Sequence, residues 1–529
     1  MTIPWLTILA LLPAAGAVLL IFTGVKAAKH VALLISLFTF VLALIITAQF
    51  KIGGGMQMVE QVPWIKPLGA YYALGLNGLG LTLVLLVVII TPVVIIASWR
   101  DFDPARPEPF DRTASEGPSA ASGAATLAPK YDARVFFALV LAVQSCALYL
   151  FLATDVFLFY VFFEVILIPM YFLIGGFGPG PRRTYAAAKF LIFGLLGGFV
   201  MLASVIGLYV HSADAGEPSY LLSTLSQLDF GTAAGRWMFV GFMFAFAIKA
   251  PLVPLHTWLP DAAEESTAGS ATMMVGVMDK IGTFGMIRFC LGLFPEASQW
   301  ATPVVLVLAT ISILYGAILA IGSRDIMRFI AYTSISHFGF IVLGIFAFTS
   351  QSLTGSTLYM LNHGMSTAAL FVMAGYLIKR RGSRDIYDYA GVDRVAPVLA
   401  GLLLFAGLST LSLPGLSSFV SEFMVLAGTF SRHPAYAVIS TLAIVLAALY
   451  ILIMYQRTMT GPVPAEVQEK VTEINGRERL AMAPLVLLIL LLGLFPKPLL
   501  SIIEPSTQAT MQHVGVTDPQ PRVSAEGGR

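Results

Sequence analysis

Charge is what this chain has least of: Asp, Glu, Lys and Arg make up 11% of its 529 residues, roughly half the share usual in soluble domains. That scarcity excludes a string of water-soluble domains. The net charge of +2 is small and dispersed, so no nucleic-acid surface is expected. Cysteine is nearly absent. Cys146 and Cys290 both lie inside apolar runs, and two isolated thiols hold neither an iron–sulfur cluster nor a structural zinc. No GxGxxG follows a strand pattern, and no glycine-rich phosphate loop ends in Gly-Lys-Ser or Gly-Lys-Thr. Dinucleotide and ATP binding are therefore without support. HExxH is missing too. No cofactor or metal is expected in this chain, and any redox or ATP-driven chemistry is expected in other subunits.

What fills the chain instead is apolar. Hydrophobic residues make up 57% and the mean hydropathy is +0.85. Runs long enough to cross about 30 Å of hydrocarbon recur along the whole length, so the expected fold is an all-α polytopic membrane protein. Fourteen candidate spans lie near 3–24, 31–50, 74–98, 135–153, 156–176, 184–210, 237–258, 267–293, 301–322, 326–349, 353–378, 396–428, 435–459 and 480–503. The first apolar run, Trp5 to Thr23, follows no basic segment and shows no cleavage site, so it is expected to be a retained span. The stretch 100–134, rich in Pro, Ala, Ser and alternating charge, is expected to be a flexible cytoplasmic loop. Loops after odd-numbered spans, with the span ends beside them, carry twenty of the 31 lysines and arginines, against seven in the other loops, span ends and tails. By the positive-inside rule both termini then lie on the outer side.

Two spans read as discontinuous. The seventh contains Lys249-Ala250-Pro251-Leu252-Val253-Pro254, and the twelfth contains Leu413-Pro414-Gly415. Proline removes a helix donor, and broken backbone inside a membrane is tolerated only where protein or water lines it. Either break alone is explained by a kink in a packed helix. Two matched breaks five spans apart, each beside a charge, point to a transport path and a five-helix repeat.

Ionisable side chains inside spans are costly and face bundle interiors. They are Glu164, Lys189, Lys249, Asp279, Lys280, His337, His363 and Glu422. Glu164 has no neutralising neighbour in sequence, and Lys249 is its natural partner, either as a switchable pair or as a static salt bridge. Lys189 either snorkels toward the basic interface near Arg182 and Arg183 or takes part in function. Asp279 and Lys280 are adjacent and point apart on a helix; Lys280 is the better relay candidate, while Asp279 either modulates it or satisfies a neighbouring helix. His337 with Ser334, and His363 with Ser366, suit a proton relay, although a lone membrane histidine is more often a hydrogen-bonded packing residue. Glu422 closes the series as an exit group, or as a helix-end contact to a freed backbone donor.

Together Phe162-Phe163-Glu164, the stretch from Lys249 to Asp261, Lys280 to Phe289, Ala331 to Gly339, His363-Gly364, Leu413 to Glu422 and Tyr455-Gln456-Arg457 resemble the antiporter-like membrane subunits of respiratory complex I. The resemblance runs from about residue 70 to 500. It implies two inverted five-helix repeats, about helices 4–8 (135–293) and 9–13 (301–459), with helices 7 and 12 broken. Three N-terminal helices (1–99) would precede them; a final helix (480–503) and a polar tail (504–529) would follow. It implies a proton relay in which Glu164 and Lys249 interact, Lys280 connects, and His337 and His363 continue toward Glu422. A glutamate at that last position marks the family's M-type branch, where siblings carry lysine. The resemblance further implies a bacterial inner membrane, neighbouring L- and N-type subunits, internal water, and NADH, FMN, iron–sulfur clusters and quinone bound elsewhere in the complex. Asn77, Ala263 and Met327 depart from the family's pattern. Two other readings remain at this stage: a subunit of a multi-subunit sodium/proton antiporter, and a proton-silent structural subunit.

Overall fold

The computed structural model describes residues 3–102 and 127–520. Most of the loop expected over 100–134 thus lies outside the described residues. Helices α1 (Trp5–Ile21) and α2 (Val25–Gln49) open the chain. An antiparallel hairpin follows, β1 (Gln57–Ile65) on β2 (Ala70–Leu76), with Gln61 opposite Ala73. The sequence reading had no strand here. Asn77 then caps α3 (Gly78–Ala97) by accepting the Gly80 N–H at 3.0 Å. Its side-chain oxygen also accepts from Arg288 at 3.1 Å, so an amide does the capping and pairing work at this departure from the family pattern.

The middle of the chain runs α4 (Ala133–Leu152), α5 (Val156–Val165), α6 (Leu167–Phe177), α7 (Arg183–Asp214), α8 (Leu222–Leu225), α9 (Thr232–Lys249), α10 (Trp258–Glu264), α11 (Ala268–Ala271) and α12 (Lys280–Gly285). Two π-helical stretches, Thr272–Met278 and Met286–Leu291, flank α12. The eighth expected span is therefore continuous but widened twice. The remainder is α13 (Pro295–Gly322), α14 (Ile326–Phe346), α15 (Ser350–Arg381), α16 (Val392–Val395), α17 (Pro397–Thr410), α18 (Ser417–Arg432), α19 (Pro434–Met459), α20 (Ala465–Lys470), α21 (Gly476–Leu494) and α22 (Lys497–Val514).

Among the described residues nine helices are long and apolar enough to cross a membrane, and ten if α21 and α22, bent by 71°, count as one. The chain is a mostly helical polytopic membrane protein. α22 continues to Val514, so the first part of the tail expected over 504–529 is helical; Pro496 bends the chain while leaving a new helix start behind it.

Both expected breaks are present. α9 stops at Lys249 and α10 begins at Trp258, whose indole N–H donates to the freed Ile248 carbonyl at 2.9 Å. The Val253 N–H finds Ser312 Oγ at 2.9 Å. At the second break, between α17 and α18, Asn362 donates to the Ser417 carbonyl at 2.7 Å. Polar side chains of neighbouring helices thus replace the backbone bonds that the breaks give up.

The least apolar of these spans, α15, is among the two most buried: its most apolar stretch is 94% buried, as is that of α14, against 28% for α2. In lipid, leucine gains nothing by leaving the surface, so polar side chains select the interior helix. Ser352, Thr357, Asn362, His363 and Thr367 put α15 on the molecule's axis.

Candidate functional site

The second half of the expected line is in contact from group to group, by hydrogen bonds at its ends and ring contacts in its middle. Lys280 starts α12 just after the first π-helical stretch, and its Nζ donates to the Val275 carbonyl at 2.6 Å. The same nitrogen lies 2.7 Å from His363 Nδ1 and 4.9 Å from the centroid of the Phe338 ring. This contact needs two backbones unusually close. Gly276 and Gly364 allow it: a Cβ on Gly364 would stand 2.9 Å from the Gly276 carbonyl oxygen and 2.7 Å from Leu86.

From His363 the next ring is His337, centroids 5.3 Å apart and nearly perpendicular. His337 lies 5.9 Å from the Tyr359 ring. The Tyr359 hydroxyl donates to Glu422 Oε2 at 2.8 Å, and Ser412 Oγ donates to the same oxygen at 2.6 Å. Ser412 holds a left-handed φ of 61° inside the second break, a conformation that disfavours side chains and that clusters at functional sites. Lys280, His337, His363 and Glu422 are all buried.

The hydroxyls named from sequence bond to groups other than the histidines. Ser334 donates to the Ile330 carbonyl, and Ser366 pairs with Ser409 and Ser418. Thr367, 3.2 Å from His363 Nε2, is the actual neighbour. Tyr359, His363 and Thr367 fall at intervals of four on α15, one helical face, and that spacing was the available signal for the two that were missed.

The first half is built differently. Lys249, the last residue of α9, is buried with no hydrogen-bond partner on Nζ, which sits 4.5 Å from the Phe163 ring centroid. Glu164 Oε1 is buried and also unbonded. The direct ion pair expected between them is therefore not closed, although each still feels the other's charge. The cause is local. Phe163 offers its face to the ammonium, and Gly198 of α7 leaves room for the carboxylate: a Cβ there would stand 1.5 Å from Oε1. Asp279 is fully buried with neither carboxylate oxygen bonded.

Lys189 reaches a cluster of charges. It pairs with Asp261 at 2.7 Å, and Arg328 pairs with both Asp261 and Glu264. Arg384 adds Asp325 at 3.3 Å and the Glu264 carbonyl. The charges of this side thus tie α7, α10 and α14 together. Asp325 lies outside the spans, and burial pushes its carboxyl up to about 6 even with Arg384 beside it. Among the described residues no three His, Cys, Asp or Glu side chains converge to hold a metal. Cys146 and Cys290 are buried and unpaired.

A chain with these features has close relatives. The family described as NADH:quinone oxidoreductase/Mrp antiporter, TM, matches residues 153–449. The chain is 49% identical over 547 aligned positions to NADH-quinone oxidoreductase subunit M of Mycobacterium tuberculosis, covering 99% of this chain and 96% of that one. Identity to subunit M of Pseudomonas aeruginosa is 34%, over 97% and 98% of the two chains. Among solved structures, a chain of respiratory complex I from Thermus thermophilus with bound NADH superposes with a TM-score of 0.84 at 31% identity, covering 97% of this chain and 100% of that one. A chain of the Mrp complex from a Dietzia species shares the fold, with a TM-score of 0.79 at 20% identity and coverage of 97% and 100%.

Proposed function

Since the chain belongs to the NADH:quinone oxidoreductase/Mrp antiporter family of membrane subunits, we propose that it is an M-type proton-translocating subunit of respiratory complex I. The observation that carries this reading is the buried line Lys280–His363–His337–Tyr359–Glu422, linked by hydrogen bonds at both ends and by edge-on and tilted ring contacts between. Such a line offers only groups that hold or pass protons. Redox chemistry, with NADH, FMN, iron–sulfur clusters and quinone, belongs to other subunits, and this chain supplies the proton path of the translocase.

The path is read as follows. Glu164 approaching Lys249 favours the charged lysine, and separation of the two releases its proton. The proton moves inward to Lys280, along His363 and His337, and leaves at Glu422. The basic loops face the cytoplasm of a bacterial inner membrane, both termini lie outside, and L- and N-type subunits flank the chain. The reading keeps fourteen spans by taking each broken, widened or bent segment as one crossing.

An inverted repeat is supported by matched pieces. α7 and α15 are each 32 residues long. The segment before each, α5–α6 or α14, starts at a capping aspartate, Asp155 or Asp325, and each aspartate bridges to the loop beyond the long helix, at Leu221 or Asp385. A broken helix follows both. The direct test is proton uptake by vesicles carrying the intact complex with Lys249→Ala. Loss of uptake at normal assembly is expected; normal uptake would make the chain a spacer.

A further inference from the structure

Between Lys249 and Lys280 lie groups that the path above leaves idle. Asp279 is fully buried, and both its carboxylate oxygens lack a hydrogen-bond partner. Its charge interacts with Lys280 and Lys249, one in each direction along the path. It does not fold back on Lys280, whose nitrogen is already taken by Val275 and His363. Gln144 of α4 is likewise fully buried with both side-chain polar atoms unbonded. α4 runs alongside this segment: Phe136 stands 3.4 Å from the Cβ position of Gly269, and the Phe151 ring lies 5.2 Å from that of Phe284. Both pairs are offset by 133 residues (269 − 136 and 284 − 151), which sets Gln144 level with Val277, two residues from Asp279. Glu164, Lys249, Gln144 and Asp279 therefore all keep unbonded buried polar atoms in the half of the path where the bonded line is broken. Buried polar atoms at this density call for bridging water.

We propose that Asp279 is a proton-carrying relay group joining Lys249 to Lys280, with Gln144 holding the bridging water; this rests on the proton-path reading above. In the step itself an N–H bond of the Lys249 ammonium breaks and, through water, an O–H bond forms on the Asp279 carboxylate. That O–H bond then breaks as an N–H bond forms on the neutral Lys280 amine. Lys249 ends neutral, Asp279 ionised and Lys280 charged, and no electron or co-reactant is consumed.

The test uses the intact complex in sealed vesicles, with proton uptake per NADH oxidised and the infrared carboxyl band during turnover as readouts. Asp279→Asn should slow proton delivery about ten-fold or more at normal assembly and remove one transient carboxyl band. Asp279→Glu should restore delivery and move that band. If Asp279→Asn pumps normally while Lys249→Ala does not, the relay is wrong and the path stands. If both pump normally, the path itself is wrong. If Asp279→Asn and Asp279→Glu fail alike and no carboxyl band changes, Asp279 is a fixed counter-charge and the relay is again overturned. Should Asp279→Asn fail to assemble, Asp279→Glu decides: a band that does not move contradicts the proposal.

Discussion

At Gly198 one missing methyl decides where the Glu164 carboxylate sits. A Cβ would stand 1.5 Å from Oε1, so Gly198→Ala must drive the carboxylate away from α7. Misplacing a proton-transfer group by about 1 Å costs on the order of 100-fold; vesicle proton uptake should fall by that order, and shortening the acid with Glu164→Asp should recover part of it. At the other end of the path Tyr359 and Ser412 both donate to Glu422, but only Tyr359 lies between Glu422 and His337. Each lost hydrogen bond costs about 1 kcal/mol. Tyr359→Phe should therefore reduce uptake well below Ser412→Ala, compared at equal amounts of assembled complex; equal effects would remove tyrosine from the path. Glu164, Lys249, Lys280, His337, His363 and Glu422 were legible because an ionisable group in an apolar run is too costly to be incidental. Tyr359, Thr367 and Ser412 were hidden because hydroxyls sit in membranes cheaply and often, returning their hydrogen to a carbonyl one turn back.

The two broken segments and the π-helical turns are the elements that bring these groups together. The breaks at 250–257 and 411–416 are held by side chains of other helices, including Trp258, Ser312 and Asn362. Their amides should exchange with deuterium faster than those of α14 and α15, whose ladders are complete; uniform protection across the breaks would mean they do not open. Asp155 and Asp325 form a second matched pair, at helix starts outside the spans. Burial pushes each carboxyl up to about 6, above the unfolded value of about 4. Folding then binds a proton, so the stability these caps contribute is full below about pH 4 and is lost as pH rises through about 6. The melting temperature of the purified protein should therefore be less sensitive to pH across that window in a variant carrying Asp155→Asn and Asp325→Asn. The breaks were legible because proline marks them. The π-helical stretch Thr272–Met278 was not, since none of its residues interrupts a helical pattern and its widening is set by packing around Gly276, Gly364 and the Lys280 side chain. The hairpin was masked by its length, too short beside spans of twenty residues to register, and the last span was run past the Pro496 bend.

Over the whole molecule polarity runs inward, with the least apolar long helix on the axis and apolar faces such as Phe199, Trp237 and Val445 outward. The sequence carried that class of fold through composition alone, and the proposed orientation through its basic loops. Both native cysteines are buried, so single cysteines at exposed Gln468 and Val59 offer clean labels. In right-side-out vesicles a membrane-impermeant thiol reagent should label Val59→Cys and spare Gln468→Cys; the opposite pattern would invert the proposed topology. What all scales share is the proposed need for water in the unbonded half of the path. A map of the assembled complex sharp enough to place waters tests this most directly. It should show an ordered chain of them touching Glu164, Lys249, Gln144 and Asp279 and ending at Lys280. Tightly packed apolar side chains filling that gap, with no water between the charges, would contradict the account.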